Sequence, residues 1–443
     1  MKTLIHNATI VNEGRIFVGS LTIDGDRIAN VAEGEIQNRA HDTFDSTIDA
    51  DGMLLLPGVI DTHVHFRDGG LADNPAGNFA TESRAARAGG VTSVVDMPNT
   101  NPQTVSLEAL EAKEARAAKV SAVNYGFMLG ATADNLDWLL SVDPTRYAAI
   151  KLFLGSSTGN MLLSDPALLD RLFAEAHKLI VAHCEEEAII QANLKNFKFE
   201  HQGKPTETAA LHPQIRNNEA CFLSTYHAIE RARKYGTRLH IAHLSTATEL
   251  SLLSNFDLDK KSITAEVTPN HLFFDSRDYA ELGNLIKCNP AIKSPDDRLA
   301  LWAALEDGLI DTVATDHAPH PLASKQRPYF DAPSGIPSIQ HSLLMMLEVA
   351  VAGERELLPL VVQKMCHNPA VLFGIEERGF LRPGYKADLV MVRTGAEQRV
   401  TRESLLYGCG WSPLEGQTFH NRIERVWVNG REDGIGEPLA YSK

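Results

Sequence analysis

The chain has 443 residues, 44% of them hydrophobic, which excludes a disordered protein and suits one large domain plus a smaller module. A formal net charge of -15 leaves no basic face for a nucleic-acid partner, although local arginines can still hold a small anion. The five cysteines (Cys184, Cys221, Cys288, Cys366 and Cys409) are scattered, odd in number and form no CxxC pair, as expected of reduced thiols in a cytoplasmic protein.

The N-terminal stretch MKTLIHNATIVNEGRIF alternates apolar and polar residues like a strand. It lacks the apolar run and small-residue cleavage site of a signal peptide, and no segment is apolar for long enough to span a bilayer, so no membrane partner is expected. Residues 1–56 read as short strands broken by Gly, Asp and Asn turn signals, and residues 376–443 read the same way, with KADLVMV and IERVWVNGRE as strands. Two β-rich ends around one long middle predict a composite β-sandwich domain made of 1–56 and 376–443.

The middle, 57–375, repeats strand, loop and helix. Eight strands are predicted: VIDTHVHF, VTSVVDMP, AVNYGFML, YAAIKLFLG, KLIVAHC, RLHIAHLS, SITAEVTPN and DTVATDHAP. Most precede a helical stretch, and EACFLSTYHAIERARKYG carries a stop signal at Gly236. Eight βα units in a chain of this length predict an α/β fold of the (β/α)8 TIM-barrel type. A doubly wound sheet is the alternative; it would ordinarily bring a glycine-rich phosphate loop after the first strand, and none is present. Near the end of the barrel, Asn368 followed by Pro369 predicts a capped helix start.

Polar residues recur at one level, the C-terminal ends of the apolar strands, where barrel enzymes build their active sites. In Asp61-Thr-His63-Val-His65-Phe-Arg67, period-two alternation puts His63, His65 and Arg67 on one face. Lys151 ends the fourth strand, His183 the fifth, His243 the sixth and Asp316 the eighth. A lone histidine pair in a strand is as readily packed or exposed as metal-binding, and a lone buried lysine is commonly an ion-pair partner. Convergence of the whole set at equivalent depth is hard to explain as packing. Imidazoles and a carboxylate are zinc ligands. A lysine buried beside cations favours the neutral amine, which can add carbon dioxide to give a carbamate with two metal-bridging oxygens.

The motifs LPGVIDTHVHFR, AGGVTSVVDMPNTNP, KLFLGSSTGNM, VAHCE, HIAHLST, ATDHAPH, FLRPGYKADLVMV and SPLEG occur in that order along nearly the whole chain. Together they resemble the cyclic amidohydrolases and, within them, the dihydroorotases. The resemblance implies a hydrolase of cyclic amide C–N bonds with a 57–375 metal-dependent barrel. It implies Zn2+, two per subunit: His63 and His65 on the first with Asp316, His183 and His243 on the second, and carboxylated Lys151 bridging both. A hydroxide shared by the metals would be the nucleophile and Asp316 the general acid/base. Arg67, Asn99 and His320 would bind the carboxylate of dihydroorotate, a small-molecule substrate of pyrimidine biosynthesis, and Asn289 would contact the substrate too. Taken alone, Arg67 suits a surface salt bridge and Asn99 a turn. A homodimer is compatible with the resemblance.

This chain departs from the family pattern after Arg67, where Asp68-Gly69-Gly70 opens an insertion reaching Asn78. The segment 321–337, rich in Pro, Gly and polar residues, reads either as an active-site loop ordered by substrate or as a plain connection. His271, His317 and Cys184 read as supporting residues rather than chemical ones. Competing readings are another cyclic amidohydrolase (dihydropyrimidinase, hydantoinase or allantoinase) and a non-catalytic relative.

Overall fold

The computed structural model describes residues 1–34, 43–68, 74–156, 161–200, 209–352 and 357–442. The N-terminal alternation folds as β1 (Lys2–Asn12), antiparallel to β2 (Arg15–Asp24), which pairs with β3 (Arg27–Glu33). The other edge of β1 takes two short parallel partners in tandem, β4 (Ser46–Asp49) and β5 (Leu54–Pro57).

Next come the barrel strands: β6 (Val59–Val64), β7 (Val91–Asp96), β8 (Asn124–Phe127), β9 (Leu129–Gly130), β10 (Ile150–Phe153), β11 (Ile180–His183), β12 (Leu239–Ile241), β13 (Ile263–Val267) and β14 (Thr312–Val313). β8 and β9 are one barrel position interrupted at Met128. Neighbours pair in parallel all the way round. The ring closes through a parallel bridge of Val64 with His317, where the His65 N–H donates to the His317 carbonyl at 2.8 Å. The predicted (β/α)8 barrel is therefore present, with all eight predicted strands in their expected order.

Both faces of a parallel barrel strand are covered, which is why these segments are runs of Val, Ile, Leu and Ala rather than alternating patterns. The helices that cover them start where the caps allow. Asn78, Ser106, Asp165, Asn217 and Ser294 accept from the first free backbone N–H groups of the helices that follow. The helix Asn218–Tyr235 ends on Gly236 in the left-handed region (φ 71°), as its stop signal predicts.

One predicted start is wrong. Leu358–Phe373 is a continuous helix in which Gln363–His367 is a π turn, so Asn368 opens nothing. Pro369 has no N–H for the preceding turn, and the wider π turn carries the chain past that missing bond. Asn368 Nδ2 instead donates to the Asp311 carbonyl at 2.7 Å.

The C-terminal segment returns to the first sheet. β15 (Leu389–Arg399) pairs antiparallel with β5 and with β16 (Thr418–Trp427), giving the order β16-β15-β5-β1-β2-β3 with β4 also on β1. The sheet curls, because Ile28 N–H donates to Tyr385 and Ala387 N–H to Asp26, at 2.8 and 2.9 Å. Inside the curl lies a separate apolar core that includes Ile5, Ile10, Leu21, Ile28, Leu389 and Trp427. The predicted sandwich is thus built from both ends of the chain. Among the described residues no helix is long and apolar enough to cross a membrane. All five cysteines are free.

Candidate active site

The ends of the barrel strands bring the sequence-predicted ligands into one buried cluster. The His63 ring lies 5.5 Å from that of His65 and 5.3 Å from that of His243, and His183 lies 4.7 Å from His243, centroid to centroid. His63 Nε2 and His65 Nε2 stand 3.4 and 3.0 Å from Asp316 Oδ1. His183 Nδ1 stands 2.9 Å from His243 Nε2. His63, His243 and Asp316 each offer a ligand atom within 4.8 Å of the others. Lys151 belongs to the same group by charge, since burial first, then Arg67 and then Lys151 depress His65.

Each imidazole nitrogen has a definable state. His63 Nδ1 is 2.7 Å from Glu266 Oε1, His65 Nδ1 is 2.7 Å from Asn99 Oδ1, and His183 Nε2 is 2.9 Å from Glu185 Oε2. These partners only accept, so each of the three rings carries its proton on the outer nitrogen. The inner nitrogens, His63 Nε2, His65 Nε2 and His183 Nδ1, therefore present lone pairs to the cluster. Burial, the largest influence, pushes His63 down and His65 and His243 well down, which keeps these rings neutral.

Two polar atoms in the cluster have no hydrogen-bond partner among the described residues: Lys151 Nζ and His243 Nδ1. A buried polar group without a partner costs about 1–3 kcal/mol, so two side by side are hard to account for as packing. Burial also drives Lys151 down to about 8, opposed by Glu266 and Asp316, which brings the free amine within reach of neutral pH. Asp316 is raised, chiefly by burial, against the opposing pull of His63 and Lys151. Neutral imidazoles aimed at a carboxylate, next to an amine with no partner, form a donor set that fits divalent metal ions of the zinc type.

Three residues of the cluster hold backbone angles that side chains rarely adopt: Arg67 (φ 58°), His243 (φ 38°) and Asp316 (φ 48°). Such conformations cost of order 1–3 kcal/mol each and are maintained only where the surroundings enforce them. Here they sit at the strand-to-loop corners that turn these side chains over the barrel mouth.

Sequence reasoning missed the residues that orient the ligands. Glu266, alone in the apolar run of β13, accepts from His63 Nδ1 and, at 3.2 Å, from the His243 backbone N–H. Burial would raise it, but His63 and His240 outweigh burial and hold it below the usual carboxylate range. Glu185, the first acid of VAHCEEE, orients His183 and pairs with the Arg216 guanidinium. There too burial would raise the carboxyl, and Arg216 followed by His183 brings it to about 2. Asp61 accepts from the His63 and Thr315 backbones, at 3.2 and 3.1 Å, and from the Thr315 hydroxyl at 2.6 Å, locking the first strand to the loop that carries Asp316. For Glu266 and Asp61 the signal available was an acid inside an apolar strand, and for Glu185 an acid two residues beyond the end of one.

The expected substrate-facing residues lie along one side of the cluster. Arg67 donates from Nε to the Pro319 carbonyl at 3.3 Å, and its Nη2 lies 3.2 Å from His320 Nε2. Burial lowers the guanidinium to about 10, and no carboxylate among the described residues comes within 4.0 Å of it. Asn99 is committed through Oδ1 to His65. Asn289 Oδ1 is buried with no partner among the described residues. Of the supporting residues, His271 pairs with Thr268 and the Pro290 carbonyl, His317 with Glu82, and Cys184 packs in the main core.

The expected insertion after Arg67 falls partly on 69–73, outside the described residues, as does 157–160 of the fourth-strand motif. Beyond the first gap, Asn74 Nδ2 donates to the Arg67 carbonyl at 2.7 Å. The 321–337 segment opens with a short helix, Leu322–Lys325, and returns to His317 through a bridge at Ile336.

The model of the amidohydrolase family matches residues 54–432. Among curated relatives, a dihydroorotase of Halobacterium salinarum is 34% identical over 412 residues, covering 92% of this chain and 91% of that protein. An allantoinase of Salmonella paratyphi B is 27% identical, covering 96% and 94%. Among solved structures, an L-hydantoinase (dihydropyrimidinase) from Arthrobacter aurescens superposes with a TM-score of 0.90 at 26% identity, covering 99% of both chains. The chain belongs to the amidohydrolase family, as a hydrolase acting on cyclic amides.

Proposed function

We propose that this chain is a zinc-dependent dihydroorotase of pyrimidine biosynthesis, interconverting N-carbamoyl-L-aspartate and L-dihydroorotate in the cytoplasm. The catalytic unit would be the barrel of residues 57–375, with 1–56 and 376–443 as the composite sandwich. In this reading His63, His65 and Asp316 would hold one zinc, His183 and His243 would hold a second, and Lys151, carboxylated, would serve both. The lone pairs directed inward and the partnerless Lys151 amine support that division. When bound, the metal pair supplies hydroxide at neutral pH and polarises the ring carbonyl under attack.

The protein's own groups do the rest. Asp316 would take the proton of the attacking oxygen and deliver it to the departing ring nitrogen, so one carboxyl serves as base and then acid. The C–N bond opens as the new C–O bond forms, and ring closure retraces the same steps. Glu266, Glu185 and Asn99 keep the histidine protons on the outer nitrogens throughout. Asn289, with its free amide oxygen, is suited to a ring N–H.

The observation that carries the choice of substrate is Arg67. A partly buried guanidinium that feels Asp316 and Asp96 at longer range but has no carboxylate within 4.0 Å among the described residues is suited to bind an anion. It is close enough to the metal ligands to rank, after burial, as the main influence depressing His65. Dihydroorotate places a carboxylate on the ring carbon next to the ring nitrogen, whereas dihydrouracil, hydantoin and allantoin carry no carboxylate. His320, whose ring nitrogen lies beside Arg67, flanks that anchor in this reading. The test is the zinc-loaded chain assayed on all four cyclic amides and on carbamoyl aspartate. We expect dihydroorotate and carbamoyl aspartate to be the favoured pair. Preference for an uncarboxylated ring would reject the assignment in favour of another cyclic amidohydrolase.

A further inference from the structure

Beyond the metal cluster, four lysines (Lys287, Lys293, Lys325 and Lys364) are buried without any carboxylate within 4.0 Å among the described residues, and two of them, Lys325 and Lys287, hold one and the same loop. Lys325 is 1% exposed and Lys287 is 7% exposed. Both are spent on backbone carbonyls. Lys325 Nζ donates to Lys287, Pro333 and Gly335 at 3.0, 3.0 and 2.9 Å. Lys287 Nζ donates to Tyr329 and Ala332 at 2.7 and 2.6 Å. The Lys287 carbonyl also accepts from the Gly335 N–H at 2.8 Å. An ammonium has three N–H groups and Lys325 uses all three, a geometry that a neutral amine cannot satisfy.

The pattern of carbonyls has a consequence for the substrate pocket. In extended backbone, successive carbonyls point to opposite sides. With Pro333 and Gly335 both turned toward Lys325, the carbonyl between them, that of Ser334, faces the other way. It meets His320 Nε2 at 2.9 Å. A carbonyl only accepts, so His320 carries its proton on Nε2, the same nitrogen that lies 3.2 Å from Arg67 Nη2. Arg67 then finds an N–H rather than a lone pair, and its own N–H is left for a ligand. Gly335 adds a steric constraint. Its φ is 144°, and a Cβ there would lie 2.9 Å from His320 Cδ2 and 2.3 Å from the Ala318 carbonyl oxygen.

We propose that Lys325, seconded by Lys287, is a positioning residue for substrate binding. Its ammonium gathers the carbonyls on both sides of Ser334, turns the Ser334 carbonyl onto His320, and so fixes the tautomer beside Arg67. This deepens the dihydroorotase reading and rests on it for the identity of the anion. The lysines act through the backbone and touch no reacting atom.

The test compares Lys325→Met and Lys287→Met with the unaltered zinc-loaded chain, by hydrogen exchange and by kinetics. For Lys325→Met we expect amides of 329–336 to exchange at least tenfold faster while those of β10–β13 hold their rates. KM for dihydroorotate should rise about tenfold with kcat within threefold. Lys287→Met, which loses two carbonyl bonds rather than three, should show the same pattern more weakly, and it carries the test if Lys325→Met does not fold. Unchanged exchange in 329–336, or a fall in kcat with KM constant, would overturn the proposal. If the unaltered chain does not turn over dihydroorotate, the substrate reading fails, and the exchange result still decides whether the lysines hold the loop.

Discussion

At the residue scale, the site is a set of neutral donors whose protons are parked outside it. Glu266, Asn99 and Glu185 do the parking, and the inner nitrogens face Asp316 and one another. That His63, His65, His183, His243 and Asp316 gather was legible in the sequence because each stands at or just beyond the end of an apolar strand, whereas Lys151, expected at the end of its strand, is the second residue of β10. Their partners were not. Glu266 reaches His63 across 203 residues, and one acid in a strand carries no spacing that would announce the pairing. The left-handed angles of Arg67, His243 and Asp316 were equally silent, since nothing about Arg, His or Asp at a strand end requires them. If Asp316 is the acid/base of the proposed reaction, its loss should separate chemistry from metal binding. Asp316→Asn keeps an oxygen for the metal and loses the base, so kcat should fall by 10^2 or more while zinc content, read by elemental analysis, stays within a factor of two. Near-normal turnover in that variant would remove Asp316 from proton transfer.

At the element scale, strand existence was readable and strand length was not. β12 has three residues and β14 has two, yet each presents its chemical residue at the correct level. The barrel needs only enough ladder to fix direction, and the apolar runs supply that. The misread helix start at Asn368 shows the limit of local signals. Pro after Asn marks a helix beginning in most contexts, but here the helix runs on through a π turn because Asn368 is bonded to Asp311 instead. The fourth strand provides the sharpest element-scale test, because Lys151, the second residue of β10 rather than its last, has no hydrogen-bond partner for its Nζ among the described residues. Lys151→Ala should lose at least half of the bound zinc, with thermal stability of the barrel changed little. Added short-chain carboxylate should restore metal and part of the activity. Unchanged zinc content would contradict the bridging role.

At the scale of the whole molecule, a curled sheet from both chain ends sits beside a closed parallel barrel, and the barrel mouth carries the chemical cluster. The division into two modules was visible because turn-rich, alternating ends differ in texture from an apolar middle. That the ends pair with one another follows from β5 meeting β15, a contact between residues more than 300 apart that no local pattern encodes. Family membership sets the reaction class, cyclic amide hydrolysis, while relatives named for different rings share similar overall likeness. The substrate therefore rests on the pocket and not on the fold.

In the proposed function, the Arg67 guanidinium, without an ion-pair partner among the described residues, selects a carboxylated ring. The most direct test of that selection is the ratio of kcat/KM for dihydroorotate to that for dihydrouracil, measured in the zinc-loaded chain and in Arg67→Met. Charge-assisted hydrogen bonds contribute about 1.5–3 kcal/mol each, so the ratio should fall roughly 10- to 150-fold through loss of the dihydroorotate reaction alone. A ratio unchanged by the substitution, with zinc still bound, would contradict the account.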